Sequence, residues 1–249
     1  MKKIICTSVV FLTYQFMLTA TPSFAVENEL GLWIPEWFTI PVTDKWGSVI
    51  EASPRLQFNN KTNKFDQFFL RPSIYYKLTE HLTVSQGYSW NPTFNPRFNN
   101  DQRIWEQVEH IKPFSRFNLR NRLRLEEIFT HGNPGVGVRP RYLLGVSIPL
   151  GKEKKWSFIT WDEFWFFLNS SHPGHNAGFD RNWFFVGLNR RFNNYINADF
   201  GYNFQIINPQ SPAENKLNHV IQINFYVTLP QLIKKKTDDL INSIQKTTY

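Results

Sequence analysis

The stretch FNLRNRLRLE, residues 117–126, alternates between polar and apolar side chains with one exception, Asn121. The polar face carries Asn118, Arg120, Arg122, Arg124 and Glu126. A repeat of two residues predicts a β-strand, because successive side chains of a strand point to opposite faces of the sheet. The polar face must meet water or a buried polar network, and the apolar face, where Asn121 is the one polar residue, must meet apolar surroundings. A membrane β-barrel offers both, with a polar lumen and an apolar outer wall.

The same alternation recurs in ten further segments, and no segment of helical periodicity interrupts them. On average the segments are close to the 9–11 residues that a tilted membrane strand requires. The eleven segments are 32–42, 46–58, 65–78, 82–90, 103–111, 117–126, 138–150, 156–169, 179–191, 197–207 and 218–229. We therefore predict an all-β fold, an antiparallel up-and-down transmembrane β-barrel of 10–12 strands.

The number of segments is odd, whereas bacterial single-chain outer-membrane barrels have even numbers of strands. The first segment is interrupted by Pro35 and Pro41. One interpretation makes residues 46–229 a ten-stranded barrel, with the first segment plugging the lumen or lying beside the wall. The other adds a further strand to reach twelve. Residues 26–45 are accordingly an N-terminal segment or a first strand.

The N-terminus has the pattern of a secretory signal peptide. Lys2 and Lys3 precede a mostly apolar run over residues 4–18, and Ser23-Phe24-Ala25 places small residues at the two positions that signal peptidase requires. We predict a cleaved signal peptide over residues 1–25. Its removal would also remove Cys6, the only cysteine of the chain, so the exported protein would contain no disulfide.

The C-terminal residues 230–249 depart from the alternation. Their apolar residues fall roughly at helical spacing around Lys234-Lys235-Lys236. This spacing predicts a short amphipathic helix or a periplasmic tail.

The composition fits a barrel better than a nucleic-acid-binding protein. Aromatic residues make up 17% of the chain, and membrane barrels place such residues in belts at both interfaces. The formal net charge is +8, and loss of Lys2 and Lys3 would leave +6, from 26 basic and 20 acidic residues. The arginines follow alternating strand faces and form no single exposed cluster, so we predict no nucleic-acid partner.

The connections between the predicted strands are alternately short and long. Outer-membrane barrels have short turns on the periplasmic side and long loops outside. The pattern therefore predicts the outer membrane of a Gram-negative bacterium, with residues 91–102, 170–178 and 208–217 at the cell surface. The expected partners are outer-membrane lipids, including lipopolysaccharide near basic residues of the rim, and the barrel assembly machinery.

A series of short markers along the chain resembles an uncharacterised proteobacterial outer-membrane barrel family known as domain of unknown function 2490. The markers are Trp33, Gln67-Phe68, Arg71-Pro72, Tyr76-Lys77-Leu78, Gly87-Tyr88, residues 103–107 and 120–126, Arg139-Pro140-Arg141-Tyr142, Asp162-Glu163, Asp180, Asn182, Gly187, Gly201-Tyr202 and Asn218-His219-Val220. One departure is Trp183, where the family tends to carry an arginine, and Arg181 on the same face is the candidate replacement. The resemblance implies the fold but no established activity.

The residues expected to line the lumen are mostly charged. The predicted polar network consists of Glu51, Arg55, Arg71, Arg120, Arg122, Arg124, Glu126, Arg139, Arg141, Glu163 and Asp199. A barrel of this strand number has room inside for little more than side chains or a small solute, which favours a filled network. Trp161, Trp165 and Phe167, on the same face as Glu163, would also occlude a channel. The alternative is a narrow anion-preferring channel, because arginines outnumber carboxylates.

A lipid hydrolase is a further alternative. Ser170, Ser171, His172 and His175 crowd one loop, and His219 begins the last strand. Catalysis requires a nucleophile within hydrogen-bonding reach of an oriented base, and the sequence contains no Gly-x-Ser-x-Gly motif. Two histidines in one loop do not make a metal site. We therefore predict a structural or narrow-passage protein without enzymatic activity, cofactor or metal.

Overall fold

The computed structural model describes residues 27–59, 62–94, 98–171, 176–208 and 216–232. Over these residues the secondary structure is β-strand, without a helix. The predicted signal peptide, residues 1–25, lies outside the described residues, as do residues 233–249 of the predicted tail. Within the described ranges, no helix is long and apolar enough to cross a bilayer.

All eleven predicted segments are strands, and the first of them is divided into two by Ile34 and Pro35. The strands are β1 (Glu27–Trp33), β2 (Glu36–Pro41), β3 (Trp46–Asn59), β4 (Thr62–Lys77), β5 (Leu82–Thr93), β6 (Asn99–Pro113), β7 (Asn118–Thr130), β8 (Val136–Leu150), β9 (Trp156–Phe167), β10 (Gly178–Arg191), β11 (Ile196–Ile207) and β12 (Lys216–Thr228). From β3 to β12 each strand pairs antiparallel with the next.

The barrel closes through the N-terminal segment. Both β1 and β2 pair antiparallel with β3 on one side and parallel with β12 on the other. The interruption between them leaves the backbone paired, because the Ile34 N–H donates to the Pro54 carbonyl at 3.1 Å and the Phe225 N–H donates to the Pro35 carbonyl at 2.8 Å. Proline has no N–H to leave unpaired, so Pro35 is tolerated at this position.

The all-β barrel of 10–12 strands is confirmed, with twelve strands that occupy eleven positions around a closed, mixed sheet. Twelve strands agree with the second interpretation, although they result from division of the first segment and fill eleven positions. The expectation that the first segment plugs the lumen or lies beside the wall is wrong, and the sheet is mixed, not antiparallel throughout. In an up-and-down barrel an odd number of positions requires one parallel pair, and the seam between β12 and β1–β2 is that pair.

The two ends of the barrel differ in their connections. At one end, here called the short-turn end, five turns of four or five residues occupy positions 42–45, 78–81, 114–117, 151–155 and 192–195. Three of them use the same cap, in which Thr43, Thr79 or Asn193 accepts a backbone N–H three residues later at 2.9–3.0 Å. The opposite, long-loop end carries the connections 168–177 and 208–215. The predicted loop 91–102 is shorter than expected, because β5 continues to Thr93 and β6 begins at Asn99.

Alternation along β7 separates the lumen from the outer wall. Glu126 is 1% exposed inside, whereas Leu123 is 53% exposed outside. Asn121, the polar residue on the apolar face, accepts a hydrogen bond from the hydroxyl of Tyr142 on the neighbouring strand at 2.9 Å. The side-chain oxygen of Asn121 therefore has a hydrogen-bond partner on the outer wall.

A disulfide tests the parallel seam. Leu32 of β1 is the partner of Ile221 of β12 in the parallel register. Adjacent strands lie about 4.8 Å apart, within the range of Cα separations that a disulfide spans. We expect the pair Leu32→Cys with Ile221→Cys, in a chain carrying Cys6→Ser, to cross-link on mild oxidation, seen as a mobility shift on a non-reducing gel.

The matched control combines Leu32→Cys with Ile223→Cys. Two residues of offset place these Cα atoms about 8 Å apart, too far for a disulfide. Equal cross-linking of the two pairs, or none in the first pair, would contradict the parallel seam.

Candidate functional site: a charged lumen

The centre of the lumen is organised around the carboxylate of Glu126. Arg139 and Arg141, both on β8, donate to it at 2.7 and 2.6 Å. The guanidinium nitrogens of Arg103 on β6 and Arg124 on β7 lie 3.6 and 3.9 Å from the carboxylate oxygens of Glu126. Four guanidinium groups from three neighbouring strands thus surround one buried carboxylate.

A second carboxylate extends the same network across the lumen. Glu163 of β9 accepts two hydrogen bonds from Arg141, both at 2.9 Å, in a bidentate pair. Arg122, which is on β7, reaches Glu163 at 2.6 Å. Arg139 also donates to Asp180 of β10 at 2.8 Å. The network therefore links β6 through β10.

Aromatic rings occupy the space between the guanidinium groups. The guanidinium carbon of Arg141 lies 3.6 Å from the centre of the Trp165 ring, and that of Arg139 lies 4.5 Å from it. Trp165 is 2% exposed and contacts Trp183 at 4.3 Å between ring centres. Arginine stacks well on aromatic faces because its charge is delocalised and weakly hydrated. The rings therefore stabilise cations that the few carboxylates do not fully neutralise.

Five predicted network residues lie outside this central group. Glu51 and Arg71 form a separate buried pair at 3.1 Å, and Arg71 also donates to Ser89 at 3.1 Å. Asp199 accepts hydrogen bonds from Asn189, Asn224 and Tyr226 at 2.6–3.2 Å, and no arginine of the described residues lies within 4 Å of it.

The remaining two arginines differ from the others. Arg120 is half-buried and pairs with Glu109 at 2.6 Å. Arg55 is buried between the rings of Trp33 and Phe69, and its closest described hydrogen bond is a 3.4 Å contact with Gln67. The structure thus joins Arg122, Arg124, Glu126, Arg139, Arg141 and Glu163 into one network and leaves the other five in four separate places.

The sequence did not identify Asp180 as a member of the network. Strict alternation places Arg181 inside and therefore Asp180 outside. A β-bulge between Phe179 and Arg181 breaks that alternation and brings Asp180 to Arg139. The Nε of Arg181 also lies 3.0 Å from the carboxylate of Asp180, so Asp180 contacts two arginines. Such a bulge leaves no signal in a pattern of period two.

The residues considered for hydrolysis are not assembled as a catalytic triad in the described part of the chain. His172 and His175 lie outside the described residues. The Ser170 hydroxyl accepts the Ala177 N–H at 3.0 Å, and His219 on the outer face contacts the Tyr202 hydroxyl through Nδ1. The described ranges also contain no group of three His, Cys, Asp or Glu residues that could hold a metal ion.

Replacement of Glu126 tests the central network. We expect Glu126→Gln to lower the free energy of unfolding by about 3–5 kcal/mol, because four guanidinium groups lose their shared buried counter-charge. The measurement is equilibrium unfolding by guanidinium chloride of the protein in detergent. The control is Glu127→Gln, on the outward face of the same strand, which should change stability by less than about 0.5 kcal/mol. Equal effects of the two substitutions would mean that the network contributes little to stability.

Comparison with known proteins identifies the family. The family model of DUF2490, described as a protein of unknown function, matches residues 30–216. An uncharacterized protein of Methylorubrum extorquens is 30% identical over 183 residues, which cover 71% of this chain and 78% of the relative. No solved structure matches the chain. The family expected from the order of the sequence markers is confirmed, and the protein is a β-barrel that belongs to the DUF2490 family.

Proposed function

We propose that this protein is an integral outer-membrane β-barrel of a Gram-negative bacterium, exported by a cleaved signal peptide, with a filled lumen and a structural or narrow-passage role. The observation that carries the proposal is the inverted distribution of polarity. The charged side chains are buried inside the barrel, while large apolar side chains are exposed around its outside. Monomeric soluble proteins rarely expose continuous apolar surface of this extent.

Two belts of aromatic residues border the apolar wall. Near the short-turn end, Trp46 packs against Tyr76 at 4.7 Å between ring centres, and Trp156 is exposed. Near the long-loop end, Phe65 and Phe94 pack at 5.3 Å, and Phe166 and Phe179 pack at 5.9 Å. Aromatic girdles of this kind mark the two interfaces of a membrane barrel.

The separation of the belts matches a bilayer. Trp156 and Phe166 lie at the two ends of β9, ten residues apart. At about 3.3 Å per residue this distance is about 33 Å along the strand. A strand tilted by about 40° would then span about 25 Å, the height of the apolar band of outer-membrane barrels.

Two pairs of polar side chains on the outer wall are hydrogen-bonded between neighbouring strands. Asn182 donates to Asp162 at 2.5 Å, and Gln86 donates to Glu106 at 3.4 Å. Hydrogen bonds between neighbouring strands reduce the cost of placing such groups in an apolar environment. These pairs therefore support a wall that faces lipid.

The distribution of basic residues between the two ends of the barrel indicates which lipids each end contacts. Among the residues whose exposure the structure describes, exposed basic side chains lie mainly at the short-turn end, including Lys152, Lys154, Lys155 and Arg191. We propose that this end faces the anionic phospholipids of the periplasmic leaflet, and that lipopolysaccharide meets the long-loop end. Insertion would require the barrel assembly machinery.

A lysine on the outer wall distinguishes a membrane barrel from a water-soluble one. Leu123 lies near the middle of β7 and is exposed. We expect Leu123→Lys to lower the free energy of unfolding in lipid vesicles by about 2–4 kcal/mol, the cost of a lysine at the bilayer midplane. The control Leu150→Lys, at the short-turn end of β8, should cost about 0–1 kcal/mol. Equal small effects would contradict membrane insertion.

Conductance tests the filled lumen separately. Buried Glu126, Arg141 and Trp165 fill the lumen in the half nearer the long-loop end, so we expect the refolded protein to be electrically silent in a planar lipid bilayer. Discrete anion-preferring openings would replace the structural role with that of a narrow channel. That outcome would leave the proposal of a membrane barrel intact.

A further inference from the structure

A cavity of about 190 Å³ lies at the long-loop end of the lumen; it is called the mouth pocket here. Its lining includes Trp33, Arg55, Arg181, Trp183, Gln205 and Asn218. Trp183 separates it from the central network, since its ring also contacts Trp165 at 4.3 Å. The mouth of a β-barrel is a common place for a small-molecule site.

Arg55 is the unusual residue of this pocket. It is 7% exposed, and each of the other five buried arginines of the described residues lies within 4 Å of a carboxylate oxygen. The Arg55 guanidinium instead lies 3.6 and 3.8 Å from the ring centres of Trp33 and Phe69, and its Nε has no hydrogen-bond partner among the described residues. Burial of a cation without a paired anion costs free energy, and contacts with aromatic rings offset only part of that cost.

Two further hydrogen-bond donors on the pocket lining also lack an acceptor. Within the described part of the chain, Trp183 Nε1 and Gln205 Nε2 are buried without an acceptor. Three unpaired donors, one of them cationic, favour a ligand that presents charged acceptor oxygens. The lining is also net positive, with three basic side chains (Arg55, Arg181 and Lys216) against two acidic ones (Glu29 and Asp66).

The remainder of the lining is apolar and of limited size. The rings of Trp33 and Trp183, 5.0 Å apart, form one side together with the Val220 side chain. A cavity of about 150 Å³ accommodates a benzene molecule. The mouth pocket therefore suits a ligand with one small planar body and one charged group.

We propose that the mouth pocket binds a small organic carboxylate with a planar apolar body. Its carboxylate accepts hydrogen bonds from Arg55, Trp183 and Gln205, and its body lies against Trp33. The Oδ1 of Asn218, which has no hydrogen-bond partner among the described residues, would accept a hydrogen bond from a hydroxyl group of the ligand. This inference does not depend on membrane insertion, because the side chains that it uses face the lumen.

Binding of benzoate to the full chain in detergent tests the proposal, with isothermal titration calorimetry as the measurement and empty micelles as the blank. We expect saturable binding that Arg55→Gln weakens about tenfold or more, because a charged hydrogen-bond donor is lost. The matched control is Arg191→Gln, at the short-turn end of the barrel, which should leave the affinity unchanged. Benzyl alcohol, which lacks the carboxylate, should not bind saturably.

Trp183→Phe provides a second variant in case Arg55→Gln does not fold. It keeps the aromatic ring, removes the N–H, and should weaken benzoate binding about fivefold. Absence of saturable binding to the unaltered protein, or unchanged affinity in every folded pocket variant, would overturn the proposal. Sulfate binding as tightly as benzoate would also overturn it, because the pocket would then be a simple anion site.

Discussion

Closure of the sheet is the constraint on which the rest of this structure depends. An open sheet leaves a row of unpaired N–H and C=O groups at each edge, and closure into a ring removes both edges. Here the N-terminal segment completes the ring by lying parallel to β12, and Pro35 is accommodated at the break because its neighbours still pair on both sides. The odd number of positions follows from this arrangement.

A closed ring of eleven positions also creates an interior with limited room for water, so inward side chains must satisfy one another. Arginine dominates this interior, and its planar, delocalised charge allows two kinds of partner. Glu126 and Glu163 provide counter-charge to several guanidinium groups at once, while Trp165 provides an aromatic surface for Arg139 and Arg141. Within the described part of the chain Arg55 has only the second kind of partner, which distinguishes the mouth of the lumen from the network around Glu126.

The outer wall shows the opposite preference. Large apolar residues are exposed on it, and several of its polar side chains form pairs between neighbouring strands, as Asn121 does with Tyr142. A wall of this kind would be unfavourable in water and suits the hydrocarbon of a bilayer. The proposed location in the outer membrane rests on this physical argument, whereas membership of the DUF2490 family rests on sequence similarity.

The sequence by itself determined the strands and their two faces, because a period of two is a local property of the chain. Residues 117–126 show this most plainly. The partners of the inward residues were decided by the tertiary structure. The link between Arg122 and Glu163 joins strands that are not neighbours, and the bulge at Asp180 breaks the alternation on which the sequence argument relied. The tertiary structure also decided the position of the first segment, because closure of the barrel depends on the pairing of strands that lie at opposite ends of the chain.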